Sequence, residues 1–206
     1  MIIGPATGFV PRPYQEHCIN GGDPRRGIGI MPAFARYKRV LAVMATGTGK
    51  TELYLAIARR FIESNKTPAD KRVLILAHRD ELVSQPIERS PRFGLALARE
   101  QGRESGVGRI ERVVASTIQS MSKRLSQYKP EEIGLIIIDE AHHGPANDYS
   151  ELLEYFIHSF VLGVTATPER LDGVGLGEVF EACAFNYGIE EATEDGWLVP
   201  VLPKEI

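Results

Sequence analysis

An aliphatic run, Val40-Leu41-Ala42-Val43-Met44, passes directly into Ala45-Thr46-Gly47-Thr48-Gly49-Lys50-Thr51. This junction restricts the fold more than any other stretch of the chain. A short, unbroken apolar run of this kind is a strand buried on both faces, so the chain must cover it from both sides. The glycines let the backbone wrap around an anion with its N–H groups pointing inward, a shape that a Cβ opposes. A helix beginning near Lys50 brings the positive end of its dipole to the same anion. Strand, glycine-rich turn and helix in this order make a phosphate-binding loop. Lys50 supplies a point charge for β- and γ-phosphates, and Thr51 a hydroxyl able to ligand Mg²⁺. The strict pattern wants a glycine where Met44 stands, but that position lies at the strand end, away from the phosphates. Thr46, Gly47, Thr48, Gly49, Lys50 and Thr51 are therefore expected to hold a nucleoside triphosphate.

Further aliphatic runs follow at Val73–Ala77, Val113–Ala115, Leu135–Ile138 and Val161–Val164, with another short strand expected at Leu95–Ala98. Between them, Leu53, Ile57 and Phe61 form a helical stripe to about Ser64, a helix runs from Thr117 through Leu125, and another covers Leu152–Phe156. Pro86 is expected to disturb any helix after His78. Strands alternating with helices predict an α/β fold, a mostly parallel sheet with helices on both faces. Polar clusters at Gly47–Thr51, His78–Gln85, Asp139–His143 and Thr165–Arg170 each follow a strand. In open parallel sheets ligands bind beyond the carboxyl ends of the strands, so these clusters converge on one rim.

At 206 residues the chain suits one substantial domain, and 43% hydrophobic with 25% charged residues is ordinary for a globular protein. A net charge of -3 announces no nucleic-acid binder by bulk, although a few local contacts suffice for tracking phosphates. Cys18 and Cys183 have neither disulfide-scaffold density nor zinc spacing, and the histidines lack paired ligand spacing. A reducing, cytoplasmic setting fits. No apolar run approaches the roughly 20 residues that span a bilayer, and no basic segment precedes Ile2-Ile3 as a signal peptide would require. Residues 20–39 read as a loop whose Arg25, Arg26, Arg36, Lys38 and Arg39 are either solvated or in contact with nucleic acid.

Asp139 and Glu140 stand at the end of the strongest strand, where carboxylates are costly unless used. Beside a phosphate loop, Asp139 is placed to hold Mg²⁺ and Glu140 to orient or deprotonate the water that attacks the γ-phosphate. Asp139-Glu140-Ala141-His142 resembles the DEAH form of the Walker B motif of superfamily 2 helicases. Ala45–Thr51 is similar to their motif I, Leu76–Leu82 to motif Ia, Thr165-Ala166-Thr167-Pro168 to motif III, and Pro13-Tyr14-Gln15 to the adenine-reading element upstream. Ala115–Ser120 resembles the segment that grips a nucleic-acid strand. The motifs keep the family's order from about Arg12 to Arg170, and the nearest branch contains restriction-enzyme motor subunits and bacterial or phage DNA helicases.

The resemblance implies a RecA-like ATP-binding domain with roles residue by residue. Gln15 would read adenine; Lys50 and Thr51 would hold ATP and Mg²⁺; Asp139 the metal; Glu140 the water. His142, Thr165 and Thr167 would couple nucleotide state to the track, and Arg79 and Thr117 would touch the backbone of DNA, or of RNA. It also implies a second RecA-like domain that supplies arginine fingers, or a nuclease subunit, outside these residues. The expected division is an adenine-reading element and basic loop over 1–40, the ATP-binding domain over 40–188, and the start of a linker over 189–206.

Overall fold

Each long aliphatic run becomes a parallel strand. A computed structural model describes residues 8–141, 147–167 and 176–199. Strands β1 (Arg39–Met44), β2 (Arg72–Ala77), β3 (Leu97–Glu100), β4 (Val113–Thr117), β5 (Ile133–Asp139), β6 (Phe160–Thr165) and β7 (Ala182–Tyr187) form one seven-stranded sheet in the order β3-β4-β2-β5-β6-β1-β7. Every pairing is parallel. Successive side chains point to opposite faces, so β2 sends Val73 and Ile75 into one core and Leu74 and Leu76 into the other. That double burial is why the run is apolar without alternation.

Helices α1 (Pro13–Asn20), α2 (Ile30–Ala33), α3 (Lys50–Glu63) and α4 (Asp80–Arg89) cover the first face. The second face carries α5 (Ile118–Ser122), α6 (Asn147–Tyr155) and α7 (Leu176–Val179). A last helix, α8 (Ile189–Glu194), returns to the first face through buried Ala192. This is the α/β architecture expected from the sequence.

Some local readings change. The helix expected to fail at Pro86 instead runs through it as α4. Pro86 forfeits one backbone hydrogen bond, but it and Val83 are buried on the helix's inner side, and Val83 packs with Ala77 and Ala115. The short strand anticipated at Leu95–Ala98 lies two residues later as β3. β7 was not legible as a strand, because Ala182-Cys183-Ala184-Phe185-Asn186-Tyr187 carries little aliphatic bulk, is only partly buried as an edge strand, and breaks its alternation at a register shift against β1.

The basic loop of residues 20–39 has a structural duty. It contains α2 and lies along the open edge of β7, where Asn186 N–H donates to Arg26 C=O at 2.7 Å and Gly29 N–H to Ala184 C=O at 3.0 Å. Arg25 pairs with Asp23 at 2.9 Å, while Arg26 is bonded to Asp195 at 2.7 Å with its guanidinium 4.7 Å over the Tyr187 ring. Arg26 is therefore committed within the fold, whereas the Arg25 side chain, although paired with Asp23, stays 82% exposed.

Candidate nucleotide site and neighbouring groove

β1 delivers its glycine-rich turn to the rim of the sheet. Gly49 takes the left-handed conformation at φ 79° directly before α3, a turn that few residues with a Cβ accept. Two strands away in the sheet, β5 ends at Asp139, with β6 between them. The two strand ends share a cavity of about 590 Å³ lined by Gln15, Thr46, Gly47, Gly49, Lys50, Thr51, Asp139 and Glu140. That volume lies within the range of small-molecule and cofactor sites, roughly 300–1,000 Å³. The structure thus brings together the residues expected for the nucleotide, except that Thr48 is buried behind the loop, its hydroxyl donating to Ala45 C=O at 2.7 Å.

Lys50 Nζ and Glu140 Oε1 form an ion pair of 2.7 Å across the cavity. Asp139 is only 6% exposed. Burial pushes its carboxyl up to about 6, with the Glu140 charge adding to the rise and Lys50 opposing it. Asp139 Oδ1 accepts from Glu140 N–H at 3.0 Å and Oδ2 from the Tyr54 hydroxyl at 3.4 Å. Glu140 has φ 51°, an unusual conformation for a residue with a side chain, costing on the order of 1 kcal/mol or more. The Asp139 contact and the following Ala141 N–H, bonded to Val164 C=O at 3.0 Å, hold it there.

Thr51 and Asp139 present hard oxygen donors to one cavity, which suits Mg²⁺. Among the described residues there is no cluster of three or more His, Cys, Asp and Glu to make an all-protein metal cage. Mg²⁺ characteristically takes a carboxylate or two and completes its shell with phosphates and water, so the donor set fits a metal that arrives with a nucleotide. Gln15 is turned onto the loop: its Nε2 donates to Thr48 C=O at 3.2 Å and its Oε1 accepts from Arg12 N–H at 2.9 Å.

The remaining expected sites divide. Thr165 is fully buried at the end of β6, its Oγ1 accepting from Thr167 N–H at 3.3 Å, and Thr167 is exposed. His142 lies outside the described residues. Arg79 is exposed just before α4. Thr117 caps α5, its Oγ1 accepting from Ser120 N–H at 3.1 Å. It lines an open groove of about 620 Å³ together with Asp80, Arg99, Arg103, Gln119 and Lys123. Fully buried Glu100 anchors the loop that carries Arg103, accepting from Gly106 N–H at 2.7 Å, from Tyr128 Oη at 2.5 Å and from Arg124.

Sequence reasoning placed Gln85 on this rim but missed other residues that line the nucleotide cavity, among them Arg12, Arg89 and Arg92. Tyr54 had a usable signal, since it sits three residues after Thr51 and so on the same helical face. Arg89, bonded to Glu52 at 2.8 Å, had none, because α4 meets α3 only in the folded chain.

The family model for the type III restriction enzyme, res subunit, matches residues 8–170, spanning both the phosphate loop and the Asp139-Glu140 strand end. The chain belongs to this family of superfamily 2 helicase motor domains. Among individual relatives, this res-subunit family member is 33% identical over 204 residues to the type I restriction enzyme EcoAI endonuclease subunit of Escherichia coli, covering 94% of this chain and 24% of that protein. It is 32% identical over 146 residues to the DNA 3'-5' translocase XPB2 of Sulfurisphaera tokodaii, covering 68% of this chain and 30% of that protein. In structure it resembles a nuclease-deletion mutant of the type ISP restriction-modification enzyme LlaGI in complex with a DNA substrate mimic. The TM-score is 0.67 at 20% identity, over 92% of this chain and 21% of that one, a likeness of fold. The chain spans 24% to 31% of the length of the first curated relatives it matches.

Proposed function

We propose that this chain is the ATP-binding first motor domain of a DNA helicase or translocase. The observation that carries the reading is the shared cavity in which Lys50, Thr51, Asp139 and Glu140 converge from two strand ends. Lys50 and the loop N–H groups bind the phosphates, Thr51 and Asp139 hold Mg²⁺, and Glu140 orients or deprotonates the attacking water. The metal, when bound, neutralises charge developing on the phosphates. Gln15 reads adenine after its amide leaves the loop backbone. Thr165, Thr167 and His142 link nucleotide state to the track, a reading favoured by the bond from Ala141 to Val164 that ties the Asp139 strand end to the Thr165 strand end.

The track itself is the groove beside Thr117, where Arg99, Arg103 and Lys123 bring positive charge next to Asp80 and Glu104, with Arg79 one residue before Asp80 in the chain. A second RecA-like domain, or a nuclease subunit, is the proposed partner, with the segment from residue 189 onward as the proposed connection, its α8 packed on the first face. The motor of a restriction endonuclease is the second reading, favoured by the res-subunit match. A module that grips nucleic acid on binding nucleotide, without translocating, is the alternative for the domain in isolation. No helix among the described residues is long and apolar enough to cross a membrane, and the cytoplasm of a bacterium or phage-infected cell is the proposed compartment.

Titrating a fluorescent ATP analogue into the parent and Lys50→Ala proteins tests the core of this reading. Lys50→Ala should weaken binding with the fold intact. Equal affinities would remove the phosphate-loop assignment.

A further inference from the structure

The chain after α8 folds back against the phosphate loop. Trp197 N–H and Leu198 N–H both donate to Ala192 C=O, at 2.8 and 3.0 Å, which turns the segment inward. Trp197, the one tryptophan of the chain, then meets Tyr14 edge-on with ring centroids 5.6 Å apart. The Arg12 guanidinium lies 4.7 Å over the indole. Tyr14 stacks its ring on Tyr187 at 4.5 Å and is 1% exposed. Its hydroxyl donates to Thr48 C=O at 2.7 Å and accepts from Arg12 Nη1 at 3.1 Å. Leu198 reaches the loop as well, with Cδ2 3.4 Å from the point where a Cβ on Gly47 would stand.

Thr48 C=O thus receives side-chain donors from both Gln15 and Tyr14. When the Gln15 amide turns from this carbonyl toward a base edge, the Tyr14 hydroxyl remains as the side-chain donor there. A buried carbonyl that loses its donors is left with a desolvation cost, which makes Tyr14 decisive for the loop's shape. Arg12 joins the two ends: its side chain rests on Trp197 while its own N–H donates to Gln15 Oε1.

We propose that Tyr14 is a positioning residue for the phosphate loop and that Trp197 seats it, so that nucleotide occupancy and docking of residues 197–198 are energetically coupled. The proposal rests on reading the loop as the nucleotide site. Coupling of this kind is reciprocal: whatever pulls Trp197 away weakens nucleotide binding, and nucleotide alters the setting of Trp197.

The test follows Mg²⁺–ADP binding to the chain by calorimetry and, in parallel, by the emission of Trp197. In the parent, emission should change and saturate with the calorimetric affinity. Tyr14→Phe keeps the ring stack and loses the hydroxyl; it should bind about tenfold more weakly, with a reduced emission change and a near-parent melting temperature. Trp197→Leu should weaken binding and Trp197→Phe should restore most of it. Calorimetric binding with unchanged emission, or parent affinity in both Tyr14→Phe and Trp197→Leu, overturns the coupling and leaves the nucleotide site standing. Absence of calorimetric binding in the parent overturns both.

Discussion

Asp139 sits at an energetic disadvantage that its surroundings only partly offset. Its folded-state carboxyl titrates near 6, raised by burial and by Glu140, with Lys50 and the Tyr54 hydroxyl acting in the other direction. The unfolded chain titrates nearer 3.9, so the folded state favours the protonated acid. This contribution to stability is fully present below the unfolded value and is lost as pH rises through about 6. Asp139→Asn should therefore raise the melting temperature of the metal-free protein at pH 8, where the buried charge costs on the order of 2–3 kcal/mol. At pH 4 the substitution should change little. An equal gain at both pH values would show that the ionised carboxylate is not the cause. Lys50, Thr51, Asp139 and Glu140 were legible from sequence because phosphate chemistry fixes their types and spacing. Arg12 and Tyr14 were visible only as neighbours of Gln15; their contacts with Trp197 join residues from opposite ends of the chain.

The central strands were legible; of the two edge strands, β3 showed two residues out of place and β7 did not show. β2 and β5 are buried on both faces and must be aliphatic, whereas β7 needs bulk on one side only. The loop over residues 20–39 looked like a basic surface because its backbone bonds to β7 leave little trace in composition. Its Gly27 is a point of close approach, with φ 122° and an added Cβ falling 2.3 Å from Ala184 C=O. Gly27→Ala should thus lift the loop from the β7 edge and cost about 2 kcal/mol or more, combining backbone strain with a clash. Chemical denaturation measures it, and amide exchange should locate the loss at Ala184–Asn186. A variant as stable as the parent would mean that the loop does not cover the edge. Pro86 gave a false signal for the opposite reason: the stop it implies locally is overcome by burial against the sheet.

At the scale of the molecule, the nucleotide cavity and the groove beside Thr117 open on the same rim, at the carboxyl ends of the strands. Phosphoryl transfer is accelerated by positioning and by charges that meet the transition state, and an arginine finger contributes on the order of 10³–10⁵ in rate. On the proposed roles, residues 1–206 alone should release phosphate very slowly and unwind no duplex. A protein joining this domain to a second RecA-like domain should turn over in a DNA-stimulated manner, and Glu140→Gln in that longer protein should lower turnover by about 10²-fold or more. Comparable, DNA-stimulated turnover by the short chain would overturn the half-motor reading. Binding of DNA by the groove should weaken steeply with salt, by close to one power of salt concentration for each phosphate contact.

The ion pair between Lys50 and Glu140 has a further consequence under these roles. Each group serves as counterion to the other at 2.7 Å, so the resting site is plugged by its own machinery. Entry of a nucleotide is then an ion exchange, in which phosphate takes the ammonium and sets the carboxylate free. The base becomes able to work on water only when its competitor for Lys50 has arrived, and that competitor is the substrate.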